Sequence, residues 1–368
     1  MYSQNDLDEA VRAGAISADS ATALRSYVES QRALPGVDEE HFRLITGFND
    51  IFVAIASAIL LFAVGWIGQS IGESLGLVID HDGPSPLAPA FIAATSWGLA
   101  TFFTAKRRMA LPSILLLLAF VGGVLATSMF SLILMFGEDR LNNNETLIGL
   151  LAAASAAIGA AGAWLHWRTF KVPITIAAGG AALAGIAIGF MVAIVGDTPN
   201  LENILLILTL CLGIGMFLFA MWWDASDRSR TTRRSDVAFW LHLLAAPMIV
   251  HPIFTLLGLN DGTATISEGL IVIALYVVLG VTALAIDRRA LLVSALAYVL
   301  YALSELFKQF GAVQLNIALT ALVIGSALLL LSAYWHQARR VIVERLPNDL
   351  RNKLPLLDRP VAIPQPAA

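Results

Sequence analysis

Long apolar stretches alternate with short polar loops along this chain. Ten stretches stand out, near residues 49–70, 86–105, 110–136, 146–167, 172–196, 202–223, 237–259, 266–286, 290–310 and 312–335. About 20 apolar residues in a helix cross the ~30 Å of hydrocarbon in a bilayer. Polar and apolar positions do not alternate one by one within the stretches, as the strands of a membrane barrel require. The pattern therefore predicts an all-α fold, a polytopic membrane helical bundle of ten transmembrane helices.

The loops set its direction. The N-terminal segment, every second loop and the C-terminal segment hold all 23 Lys and Arg except Arg140 and Lys308. The opposite loops are acidic, with Glu73, Asp80, Asp82, Glu138, Asp139, Asp197 and Asp261. Basic residues stay on the cytoplasmic side, so both termini are expected in the cytoplasm and the chain in a bacterial inner membrane. One missed or extra span would scramble the alternation. Trp164, Trp167, Trp222, Trp223, Trp240 and Trp335 fall near the same ends, where an amphipathic ring prefers the interface. Trp97 lies near mid-span and reads as packing.

The segment before the first span is polar and acidic, unlike a cleavable signal peptide, so the first span is expected to act as its own insertion signal. Residues 3–33 read as a helical hairpin, broken at Gly14 and restarted with Ser17 as N-cap. Residues 37–48 read as an interfacial helix. The domain plan is thus a cytoplasmic hairpin with its interfacial helix over 1–48, a transmembrane domain over 49–335 and a basic tail over 336–368, helical at first and Pro-rich and disordered at its end.

The opening LDEAVRAGAISADSATALRSYVE, followed by many spans, resembles the bacterial membrane-protein families of unknown function typified by DUF2157. The closing LLLLSAYWHQARRVIVERLP is similar to their last span and basic tail. The resemblance covers about 50 residues at the two ends. It implies a membrane protein with a cytoplasmic helical head, and it brings no catalytic residues.

Composition fits lipid better than a soluble core: 58% of residues are apolar and 14% charged, against roughly 45–50% and 25% in soluble domains. The single cysteine, Cys211, excludes an internal disulfide. Interest falls on polar residues inside spans, where an ionisable group costs ~2.5–3.5 kcal/mol on insertion scales. Ser294, Tyr298, Tyr301, Glu305 and Lys308 recur at helical spacing on one face of the ninth span. They read as one wall of a solute or proton pathway, or as a structural Glu–Lys pair with Lys308 reaching outward. In the seventh span, His242 and His251 are nine residues apart, about 180° around a helix, so they cannot share one metal on a straight helix. Pro247 and Pro252 can bend that helix. His251 lies at the depth of Glu305, and the two are candidates for a protonatable pair. Asp50 reads as a helix N-terminal acid, and Asp80-His81-Asp82 as a solvated loop. Gly185 and Gly189, at small-xxx-small spacing, read as tight packing or a dimer seam.

No HExxH, paired intramembrane aspartates or phosphate loop is present, which argues against an enzyme. The reading assigns no cofactor, metal or nucleic acid. Its partners are the lipid bilayer and either a small solute or a cytoplasmic protein, and oligomerisation is left open. Small-solute or proton-coupled transport leads. Ten spans divide as five plus five, the parity of inverted-repeat transporters. The alternative is a non-transporting scaffold or sensor whose hairpin binds a cytoplasmic partner, helped by the basic loop at 228–234 and the basic tail.

Overall fold

A computed structural model of the chain describes residues 11–24, 48–80, 82–142, 144–228, 230, 232–258, 266–309 and 315–357. The chain divides into two compact units, Arg43–Pro355 and the remainder, Met1–Phe42 with Leu356–Ala368. In the smaller unit a turn follows residue 12, with Gly14 at φ +70°. Ser17 then caps residues 18–24 by accepting a hydrogen bond at Oγ from the Ser20 N–H at 3.0 Å. The rest of the expected hairpin and the expected interfacial helix before residue 48 lie outside the described residues.

In the larger unit a helix lies over each of the ten apolar stretches: α1 (Phe48–Ser74), α2 (Leu87–Phe103), α3 (Ala110–Phe136), α4 (Glu145–Phe170), α5 (Ile174–Val195), α6 (Leu201–Ala225), α7 (Arg233–Leu256), α8 (Ile266–Ile286), α9 (Ala290–Gln309) and α10 (Asn316–Ala333). An eleventh, α11 (Trp335–Glu344), follows, and the described residues contain no strand. Among the described residues, six helices, α1 and α3 to α7, are long and apolar enough to cross a membrane, and α10 with α11 makes a seventh if the bent pair is one span. The 17 residues of α2 reach only about 25 Å at 1.5 Å per residue, short of the hydrocarbon thickness.

α1, α2 and α3 pack on one another, α3 packs on α4, and α4 on α5. Gln69 of α1 fastens the α1–α2 loop, donating from Nε2 to Gly83 O at 3.0 Å and accepting at Oε1 from Ser85 N–H at 2.8 Å. The α4–α5 contact depends on two glycines. A Cβ built on Gly189 would stand 2.6 Å from Ala153 N, and one on Gly149 2.4 Å from Ala193 N. No side chain fits such gaps, so the two backbones touch, as small residues allow. Gly189, read as packing or as a dimer seam, thus serves contact within the chain. Trp97 packs with ring centroids 4.9 Å from Phe120 and 5.0 Å from Phe170. The fully buried His166 sits beside these rings, with Nδ1 3.2 Å from Thr175 Oγ1.

α5 carries the chain onward, packing on both α6 and α7, which also pack on each other, and Ala177 of α5, Ala220 of α6 and Val237 and Leu241 of α7 form one buried cluster. α7 runs through Pro247 and Pro252 without a break in the helix. Pro252 leaves Met248 O without its helical donor. That carbonyl lies where α6 comes closest: a Cβ on Gly213 would stand 2.9 Å from it. α9 packs on α7, α8 and α10. The chain bends by 72° between α10 and α11, and α11 folds back against α8.

Candidate functional site

Charged side chains collect where α6 ends, α7 begins and α8 turns into α9. α8 stops at Ile286, and Asp287 takes the left-handed conformation at φ +57°. An aspartate tolerates this better than most residues, because its short polar side chain bonds locally. Arg288 N–H then closes the turn on Ala283 O at 2.8 Å. Consecutive residues of this turn send opposite charges into two linked centres.

The first centre is Asp224, in the last turn of α6. Arg288 donates to it twice, from Nε to Oδ2 at 3.1 Å and from Nη2 to Oδ1. Nη2 also reaches Ser235 O at 3.0 Å and Ser235 Oγ at 3.3 Å. His242, two turns beyond Ser235 on the same face of α7, completes the carboxylate with Nε2 3.1 Å from Oδ2. An ionised carboxylate only accepts, so His242 carries a proton on Nε2. Its Nδ1 is buried and has no hydrogen-bond partner among the described residues. The Phe217 ring stands 5.2 Å from the imidazole. Asp224, Arg288 and His242 are 1%, 2% and 0% exposed. This is an ion pair with an imidazole bonded to its carboxylate, removed from water where α6, α7 and the α8–α9 turn meet.

The second centre is Asp287. It receives Arg230 Nη1 at 2.9 Å and Trp335 Nε1 at 2.7 Å, with Arg339 Nε at 3.8 Å. Arg230 also donates from Nη2 to Ile286 O at 2.8 Å. Burial pushes the Asp287 carboxyl up. The Arg230 and Arg339 guanidiniums, the Trp335 N–H and Arg288 outweigh it and hold the group below the usual carboxylate range. The segment after α11 closes the cluster through carbonyls: Arg228 Nε donates to Leu354 O at 2.9 Å, and Arg339 Nη2 to Pro355 O at 2.8 Å. Asp227 ties the loop to α7, accepting from Thr232 N–H at 2.9 Å and Thr232 Oγ1 at 2.7 Å. Residues read from sequence as a tail thus pack into the larger unit as far as Pro355.

The residues singled out in the sequence fare differently. His251 lies on an exposed part of α7, opposite in character to the buried His242 nine residues earlier, and Tyr301 of α9 is also exposed. The side chains of Ser294, Tyr298, Glu305 and Lys308 lie outside those described, so the expected His251–Glu305 approach is neither met nor contradicted. Asp50 is buried in the first turn of α1, as expected of a helix N-terminal acid. Asp80 shares a hydrogen bond with Glu138 across the opposite end, and that contact, with burial and the Asp80 charge, raises the Glu138 carboxyl. Among the described residues, no group of three His, Cys, Asp or Glu is placed to hold a metal ion.

Sequence reasoning missed the central pair. Arg288 was counted only as a loop charge, and Asp224 was not singled out. One signal pointed to the site: the spacing that puts Ser235 and His242 on one face of α7.

No family model matches this chain, and neither a curated protein nor a solved structure does.

Proposed function

We propose that the chain is a ten-span bacterial inner-membrane protein with both termini in the cytoplasm, and that it moves a small solute in a proton-coupled manner. In this reading the Asp224–His242–Arg288 cluster is the protonatable closure on the cytoplasmic side. One observation carries the proposal: a fully buried carboxylate–imidazole pair held by a guanidinium within apolar helices. Desolvating each ion costs several kcal/mol even after relaxation, and ionisable groups kept at such cost inside membranes mark ion and solute pathways. The arrangement suits a switch. Protonation at His242 Nδ1 would put a second positive charge beside Arg288, and the two cations would compete for one carboxylate. Release of either loosens the joint between α6, α7 and the α8–α9 turn. The charge alternation of the loops supports the ten-span topology, and the terminal motifs support the kinship with DUF2157-like proteins.

The test is flux. The full chain is reconstituted in liposomes loaded with a pH-reporting dye and given gradients of amino acids, sugars, nucleosides, organic acids and inorganic ions in turn. At least one class should drive proton movement, and His242→Gln should reduce it tenfold or more while still melting cooperatively in detergent. Proton movement driven by none of these classes, with His242→Gln identical to wild type in its pH response, would overturn the proposal and leave the partner-binding reading of the head.

A further inference from the structure

Beside the charge cluster, the 72° bend between α10 and α11 shelters a cavity of about 130 Å³. Leu328 and Leu331 of α10, Tyr276 of α8 and Val293 of α9 form its walls, and Arg289 and Trp335 stand at its polar end. Val293 is 63% exposed, so the cavity opens sideways, past a face of α9 that is apolar at this point. The space holds about four water-sized groups, but its walls offer water few partners. Besides Ser332, Tyr276 and Arg289 break the apolar lining. The Tyr276 hydroxyl is buried and has no hydrogen-bond partner among the described residues. Arg289 lies over the Trp335 ring with its guanidinium carbon 4.8 Å from the centroid. Trp335 is itself fixed, because its Nε1–H donates to Asp287. Arg289 Nη2 is enclosed at this end of the cavity, and a guanidinium offers its edge N–H groups in the fork that matches a phosphate.

A helix that turns sharply after an apolar span, with Trp at the turn, has the form of a segment passing from hydrocarbon into the headgroup layer. Arg289 therefore stands at headgroup level and Leu328 in the hydrocarbon. We propose that this elbow is a binding site for one acidic phospholipid of the leaflet on that side: its phosphate on Arg289, an ester carbonyl accepting from the Tyr276 hydroxyl, and the start of one acyl chain between Leu328 and Leu331. Charge and geometry select this occupant. The positive group sits at the level of a lipid phosphate, the apolar space begins directly beneath it, and the mouth faces sideways. The site is distinct from the Asp224 cluster and does not depend on the transport reading.

The experiment uses the full chain, stripped of lipid in mild detergent. It is titrated with phosphatidylglycerol and with phosphatidylcholine of the same acyl chains, and bound lipid is counted by native mass spectrometry. One phosphatidylglycerol should bind at least tenfold more tightly than phosphatidylcholine. Arg289→Gln should abolish that preference. Val293→Trp, at the rim where a larger ring does not disturb the core, should weaken both lipids tenfold while leaving the lipid-free melting temperature unchanged. Millimolar inorganic phosphate should not compete, because it has no chain to place. Equal binding of the two lipids by the wild type would overturn the proposal. So would a preference that survives both substitutions, or complete competition by phosphate, which would mark a site for soluble anions.

Discussion

Removing Arg288 alone should cost far more than removing it together with Asp224. Arg288→Met leaves a carboxylate that is 1% exposed, hydrogen-bonded to the imidazole and without its bidentate guanidinium. Two unit charges at about 4 Å interact by roughly 4 kcal/mol at an effective dielectric of 20, and breaking a buried pair by deleting one partner costs about 3–5 kcal/mol. Asp224→Leu should cost a similar amount, because it strands Arg288 against Ser235. The double variant removes both charges. Its remaining losses are the hydrogen bonds of His242 Nε2 and of Ser235 Oγ, together about 1–3 kcal/mol. The cycle should therefore close with a coupling of at least about 3 kcal/mol, the double variant being more stable than either single one. Reversible unfolding of the four proteins in mixed micelles, followed by helix content, measures this. A coupling below about 1 kcal/mol would mean that solvent reaches the pair, and the reading of the cluster as a desolvated switch would fall with it.

Gly189→Ala should destabilise the protein by about 1–3 kcal/mol, because its new methyl meets the Ala153 backbone rather than a movable side chain. Gly122→Ala in α3, with nothing within 4 Å, should be neutral or gain up to about 1 kcal/mol; paired melts in the same detergent compare them. Asp287 is held below its ordinary value when folded, so its contribution is complete above the unfolded carboxylate range near 4 and is lost as pH falls through the folded value. Asp287→Asn should therefore be less stable than wild type at pH 7 and should show a flatter loss on acidification, as melting curves between pH 7 and pH 3 would reveal.

The helices were legible because a bilayer-length apolar run is a strong signal, and the helix bounds follow it closely: 110–136 and 266–286 were read to the residue. Whether each helix crosses was less legible. α2 shows why, since Thr104 and Ala105, which complete its stretch, leave the helix in a turn. The site was hidden for another reason. The arginines that obey the positive-inside pattern are also the ones that pair inward, and a count of loop charges treats Arg288, 2% exposed, like the exposed Arg107. Sequence spacing relates residues on one helix. Asp224 and Arg288 meet across 64 positions and two helices, and no periodicity reports that. Ser17 and Gly14 were readable because a cap and a turn are local.

The order in which the ribosome releases these partners has a consequence of its own. Arg228 waits for Leu354, 126 residues later in the chain, and Asp287 for Trp335, 48 residues later. At roughly 5–20 residues per second, the earlier arginine spends about 6–25 s in the membrane or at its surface before its carbonyl exists. During that interval the helices already inserted carry charges whose final partners are not yet made. Newly synthesised protein is therefore most open to proteases and insertion chaperones just before its last helix turns at Tyr334. Truncations that stop short of residue 355 should be cleared by the cell even though every apolar stretch is present.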